Sequence, residues 1–319
     1  MTAGQIEAWI NALRAGTWET QVEASDALAL EGEAAIAPLI ALLRGADQWE
    51  QYAEQAHAHH WAEETLIKIG APAVAALIAA LEDSAWGGQT GAVYCLGEIG
   101  DPRALGPLVA LLRHDDYNLR RDLIAALYRF GAAAVDPLLQ ALDSSDANWR
   151  AGAALALAPL GDVRAVDPLS ALLRDDDHGR VRTAAAAALG RLGDTSVIEP
   201  LTAALVDPEP AVREAAVRAL GLTAGRHGAA ASVRGTLQRT LTDADWGTRQ
   251  SAAEMLIALK RDDDSARTLL IGDLEADDPE VRLGAAWSLL EVGDERAVDA
   301  LARLLYHPNP EIALRAAVG

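Results

Sequence analysis

Residues 181–213, VRTAAAAALGRLGDTSVIEPLTAALVDPEPAVR, decide how the rest of the chain is read. Val181 to Leu192 is a run of small and apolar residues with high helix propensity, and Gly193-Asp194 stops it. A second apolar helix is expected from Val197 to Leu205, after which Asp207-Pro208 breaks the chain and Val212-Arg213 opens another copy. The unit is a helical hairpin of about thirty residues. A hairpin of that size cannot shelter its own apolar side, so it has to stack on a neighbour.

On either side of this stretch the same unit recurs along the chain. Its second helix carries Pro38-Leu39, Pro107-Leu108, Pro137-Leu138, Pro168-Leu169 and Pro200-Leu201. Proline is tolerated there because the first helical turn has no intrahelical acceptor for an N–H. The stops between helices are Gly100-Asp101, Gly161-Asp162, Gly193-Asp194 and Gly293-Asp294, with Gly131 alone in the fourth unit. Glycine is expected to take the left-handed conformation that ends a helix, and Asp to cap the next helical segment. Two units are degenerate: 219–241 lacks the Pro-Leu pair, and Lys260-Arg261-Asp262-Asp263-Asp264 replaces a Gly-Asp stop.

The expected fold is all-α, a right-handed α-solenoid (superhelix) of about nine antiparallel helix pairs forming one body over 1–319. Residues 1–16 form an N-terminal capping helix on Ile6, Trp9, Ile10 and Leu13, and 17–47 the first repeat. The second repeat, 48–84, is lengthened by Tyr52 to Trp61; 85–308 hold repeats three to nine, and 309–319 a C-terminal half repeat. A half repeat lacks a polar cap, so the expectation is either a truncated end or a docking face, and a monomer or association through that end.

Hydrophobic residues make up 51% of the chain and aromatics only 4%, so the apolar content is chiefly Ala and Leu, which argues against an all-β fold. Twenty-seven Lys and Arg against 47 Asp and Glu give a net charge of −20, which repels phosphate backbones and excludes nucleic acid as the expected partner. Cys95 is the one cysteine, which rules out an internal disulfide and a thiolate metal cluster; it occupies a slot that holds Ala219 elsewhere and is expected to be a small core residue. No apolar run reaches the roughly 20 residues that span a bilayer, so no membrane partner and a cytoplasmic location are expected.

Between units an Asp is followed at short distance by Val or Trp and then Arg, as in Asp146 to Arg150, Asp177 to Arg182, Asp207 to Arg213 and Asp278 to Arg282. With the Ala-rich first helix, the Gly-Asp turn and the Pro-Leu second helix, this resembles the HEAT repeat family in its short, phycobilisome-lyase-like form. The resemblance implies a ladder of ion pairs between successive units, carried here by Asp146/Arg150, Asp207/Arg213 and Asp278/Arg282, with second helices on a concave side. The second helices 34–43, 73–81 and 104–112 contain no charged residue. That surface is either the core between layers or an apolar strip within an acidic shell, suited to an amphipathic helix or a basic segment.

Two clusters are candidate sites. Trp18, Trp49, Trp86, Trp149 and Trp246 occupy, within a residue or so, the slot held by Val181, Val212 and Val281 in other units. They are read as partner-binding anchors, against the alternative of larger plugs between layers. The insertion holds His57, His59, His60, Glu63 and Glu64, and His57, His60 and Glu64 share a helix face with the nitrogen and oxygen donors Zn²⁺ or Fe²⁺ takes. Its alternative is a polar helix face with no ligand.

The function these residues support is a non-enzymatic scaffold or adaptor that binds a protein or peptide in the concave groove, with no catalytic residue and no cofactor. The resemblance also implies an alternative, a bilin lyase or lyase-accessory protein acting on a tetrapyrrole-bearing partner, although no residue is marked for that chemistry. The chain lacks the His-Glu dipeptides of HEAT-type di-iron hydroxylases.

Overall fold

The computed structural model describes residues 1–44, 53–82, 89–259, 264–291 and 293–317, with the side chains of 53–57 and 264 outside it. Every regular element among the described residues is helical, and they group into two compact units, Met1–Leu160 and Gly161–Gly319.

The first unit opens with α1 (Ala3–Ala15). Thr2 caps it: the Thr2 hydroxyl accepts from the Gln5 N–H while the Gln5 side chain accepts from the Thr2 N–H, a reciprocal capping box. Ile6, Ile10 and Leu13 are buried where α1 meets the hairpin pairs α2/α3 (Trp18–Glu31, Glu33–Arg44) and α4/α5 (Ala53–Ile69, Val74–Leu81). Then come α6/α7 (Gln89–Ile99, Leu105–Leu111), α8/α9 (Tyr117–Phe130, Val135–Ala141) and α10 (Ala147–Leu157).

The second unit starts on the second helix α11 (Val166–Asp175) and continues through α12/α13 (Gly179–Leu192, Ile198–Ala203), α14/α15 (Pro210–His227, Ala230–Thr240), α16/α17 (Trp246–Leu259, Asp264–Asp273) and α18/α19 (Pro279–Glu291, Arg296–Leu304) to α20 (Pro310–Ala317). Ile312 and Ala316 of α20 are buried against Leu283, Ala286, Leu301 and Leu304, so the half repeat is packed rather than loose.

Several second helices begin as a single 3-10 turn, such as Pro102–Ala104 and Val163–Ala165. That turn passes into α-helix just before the proline, which makes Pro107, Pro137, Pro168 and Pro200 each the third α-helical residue, where a missing N–H costs nothing. Gly100, Gly131, Gly161 and Gly293 have positive φ at the turns, as expected, and Gly32 and Gly70 do so as well. Gly193 differs: φ is −76°, and glycine is required there because a Cβ would lie 2.2 Å from a Val197 methyl and 3.0 Å from the Leu189 carbonyl oxygen. The degenerate unit keeps a left-handed glycine but places it later and without the Asp: α14 runs on for 18 residues and ends at Gly228, φ 66°.

First helices stack on first helices through small residues. A Cβ at Gly97 would lie 2.8 Å from Ala126 Cα, and one at Gly190 would lie 2.6 Å from Ala219 Cα, so the backbones of α6 and α8, and of α12 and α14, approach too closely for any side chain at the crossing. The seam between α16 and α18 is polar instead: Ser288 Oγ donates to Glu254 Oε1 at 2.6 Å, and Gln250 Nε2 donates to Ser288 Oγ at 2.9 Å.

Candidate functional site

The tryptophan slot gives different results from unit to unit. Trp18 is 68% exposed and meets Trp61 edge-on, ring centroids 5.1 Å apart. Trp149 is half-buried and its indole N–H donates to the Val109 carbonyl at 2.7 Å, bridging α10 to α7. Trp246 is half-buried, and a Cβ on Gly284 would lie 2.8 Å from its ring. Trp49 and Trp86 lie outside the described residues. Replacing Trp149 by Phe is expected to cost about 1 kcal/mol, because it leaves the Val109 carbonyl without that donor; a shift of the urea midpoint checks it.

The insertion docks on the first hairpin by a polar seam. Trp61 is buried and its indole N–H donates to Gln21 Oε1 at 3.0 Å; Thr65 Oγ1 donates to Ser25 Oγ at 3.0 Å, and Lys68 Nζ reaches Asp26 at 2.7 Å. Of the candidate ligands, the His57 side chain lies outside the described residues, His60 is exposed and Glu64 half-buried. His59 Nδ1 stands 3.2 Å from Glu63 Oε1, and both side chains lie over Gly91, where a Cβ would come within 2.8 Å of the His59 ring. Among the described residues no three His, Cys, Asp or Glu side chains converge on one point. Cys95 is fully buried with its thiol 3.8 Å from the Glu63 carbonyl oxygen; burial first, then the Glu63 charge, pushes the thiol well above its ordinary value.

The Asp–Arg ladder pairs one unit with the next. Arg182 Nε and Nη2 donate to Asp207 at 2.7 and 2.9 Å, and Arg213 Nε and Nη2 donate to Asp243 at 2.9 and 2.8 Å. Each arginine keeps a third donor for its own unit, Arg182 Nη1 to the Asp176 carbonyl and Arg213 Nη1 to the Asp207 carbonyl, both six residues back. Asp207 and Arg213 therefore meet through backbone, not as an ion pair. Asp146 caps α10 with its carboxylate, and Asp278 accepts from the Glu280 N–H. Burial alone would push the Asp207 and Asp243 carboxyls up; the guanidiniums of Arg182 and Arg213 and the N–H groups of Glu209 and Asp245 hold both below the usual range.

Between the successive second helices α11 and α13 lies a groove of 480 Å³, floored by Leu173, Pro200 and Ala204 with Glu199 and Arg174 on its rim, and Val206 stands beside it 85% exposed. The tryptophan and histidine clusters do not contribute to it. A signal for it existed in the sequence. The position six residues after the second-helix proline is Arg44, Arg113, Asp143 or Arg174 in other units, and an apolar Val206 there is an exception.

Stacked two-helix layers with this turn and this ladder define a helical repeat protein. The HEAT repeats family description matches residues 52–128, 107–190, 177–240 and 233–319, and the chain belongs to that family. It is 40% identical over 83 residues to a phycocyanobilin lyase subunit alpha of Picosynechococcus sp. (strain ATCC 27264 / PCC 7002 / PR-6), a match that takes in 24% of this chain and 31% of that relative's length. Its structure is similar to that of the karyopherin Kap121p bound to the extreme C-terminus of the protein phosphatase Cdc14p, with a TM-score of 0.57 at 12% identity over 99% of this chain and 45% of that one. It is also similar to the complex of CpcE and CpcF of phycocyanin lyase from Nostoc sp. PCC7120, with 25% identity over 73% of this chain and 94% of that one and a TM-score of 0.40. Among the described residues no single helix is long and apolar enough to cross a membrane.

Proposed function

We propose that the chain is a non-enzymatic scaffold that binds a protein or peptide partner along its second helices. The observation that carries this reading is the groove between α11 and α13 with an exposed apolar side chain at its edge. Solvent-exposed apolar surface beside a preformed groove is what an apolar helix face displaces water from. The net charge of −20 favours a partner whose flanks are basic. The partner is therefore an amphipathic segment with an apolar stripe and Lys or Arg beside it.

A panel of immobilised amphipathic peptides, basic and acidic, tests the reading. The protein is expected to be retained on the basic members, and Val206→Glu to weaken that retention about tenfold, since a carboxylate does not enter an apolar contact without cost. Equal retention on acidic peptides, or retention unchanged in Val206→Glu, overturns it.

The likeness to a phycocyanobilin lyase subunit supports a second reading, a lyase or lyase-accessory role on a tetrapyrrole-bearing partner. A shift of the visible absorbance of a linear tetrapyrrole on mixing with the protein favours that reading, and an unchanged spectrum removes it.

A further inference from the structure

Four hairpin turns carry Gly-Asp at the same place, and three of them are closed by an arginine two residues on. Arg103 Nε and Nη2 donate to Asp101 at 2.9 and 2.7 Å, Arg164 Nε and Nη2 to Asp162 at 3.0 and 2.8 Å, and Arg296 Nε and Nη2 to Asp294 at 2.8 and 2.7 Å. Arg103 Nη2 also donates to the Ala71 carbonyl at 2.8 Å. Ala71 is the first residue of the 3-10 turn that opens the preceding second helix, so this guanidinium ties one layer to the layer before it.

The fourth turn has Ser196 where the arginine should stand. Asp194 accepts from the Ser196 N–H at 2.8 Å and from its hydroxyl, and no guanidinium among the described residues pairs with it. A cavity of 380 Å³ opens at that point. Its walls include Val163, Val166 and Leu192 as apolar surface and Asp167 and Asp194 as carboxylates. Val163 is the first residue of the 3-10 turn of the preceding second helix, the same position as Ala71. The cavity thus has on its walls the turn Asp and the first residue of the preceding 3-10 turn, the two positions that Arg103 joins in its own turn. Arg226 and His227 form the opposite wall, but they are held by the end of α12: Arg226 donates to the carbonyls of Gly190 and Arg191, and His227 Nε2 stands 3.2 Å from the Gly193 carbonyl oxygen.

We propose that this cavity receives an arginine side chain of the bound polypeptide, its guanidinium donating to the Asp194 carboxylate and the Val163 carbonyl while its methylenes lie on Val166 and Leu192. The assignment rests on the reading that the chain binds a polypeptide and names what one of its side chains does. A guanidinium fits because it is a planar fork of donors that reaches two acceptors at once; the compact ammonium of lysine does not span them.

Titrating the intact protein with N-acetyl-L-arginine methylamide, followed by the amide resonances of Asp194, Ser196 and Val163, tests the proposal. Saturable shifts at these three positions are expected, with the lysine analogue and Asp194→Asn each about tenfold weaker, as loss of a charge-assisted pair implies. Ser196→Arg is expected to fill the cavity from within, abolishing the shifts while leaving the thermal midpoint at or above that of the wild type. No saturable shift, equal affinity for the two analogues, or shifts that persist in Ser196→Arg overturns the proposal. Val206→Glu is expected to leave this titration unchanged, so failure of the groove and failure of the arginine cavity are told apart.

Discussion

Replacing Gly190 by leucine is expected to destabilise the second unit by about 3 kcal/mol, the upper end of the usual cost of overpacking. Two effects oppose each other. Any side chain at a helix-interior glycine gains roughly 1 kcal/mol of helix propensity. Against this, even a Cβ at Gly190 would lie 2.6 Å from both Cα and Cβ of Ala219, and backbone atoms cannot rotate aside as a flexible side chain can. Helices α12 and α14 must then separate along a crossing where Ala185, Ala188, Leu189, Ala216 and Leu220 are buried. The overlap wins, and already in Gly190→Ala a net loss of about 1 kcal/mol is expected. Gly106 is the control, because a Cβ there meets nothing within 4 Å; Gly106→Ala is expected to gain about 0.5 kcal/mol or more from propensity alone. Urea midpoints of the three variants check both signs.

The second large effect belongs to the ladder. Asp207→Asn leaves the guanidinium of Arg182, a residue only 8% exposed, facing a neutral amide that offers one acceptor instead of two. Removing one partner of a desolvated pair costs on the order of 3 kcal/mol. The same pair sets an acid limit. The folded-state pKa of Asp207 lies below its unfolded value, so its contribution is fully present above the ordinary carboxylate value of about 4 and is lost as pH falls through the lowered value. Wild-type stability is therefore expected to fall more steeply than that of Asp207→Asn as the pH drops below about 4, and denaturant midpoints on that acid side check it. A parallel fall in both proteins would mean that the ladder carries none of the acid sensitivity.

The fold was legible because its determinants are local and repeated. Pro168-Leu169 and Pro200-Leu201 each mark the first turn of a second helix, and Gly100, Gly161 and Gly293 each supply a left-handed residue where a turn needs one. Gly193 carries the same Gly-Asp signature, yet it is there for space around Val197 and not for its dihedral angle, a distinction only the packing makes. The ladder was legible in its residue types but not in its pairing. Asp207 and Asp243 both lie six residues before an arginine, so spacing alone favours the near neighbour. In three dimensions Asp207 gives its backbone carbonyl to the near arginine, Arg213, and its carboxylate to Arg182 of the preceding layer.

The candidate surface was less legible for a related reason. A slot in a repeat has no fixed environment, because the layer before it supplies half of what surrounds it. Trp18 and Trp149 hold equivalent places, but Trp18 is exposed and Trp149 finds the Val109 carbonyl. Val206 and Ser196 stand out only when each repeat position is compared across units and the departure from the common residue is treated as the signal. Both departures remove an arginine, one leaving an apolar edge on a groove and the other a cavity beside Asp194.

Hydrogen exchange of the intact chain, with and without a saturating basic amphipathic peptide drawn from the panel, reads out which helices a partner covers. Slowed exchange is expected to concentrate in α11, α13 and the turn at Val206, with the first helices α14, α16 and α18 unchanged. Protection confined to those first helices, or none in α11 and α13 under saturation, would contradict a partner seated on the second helices.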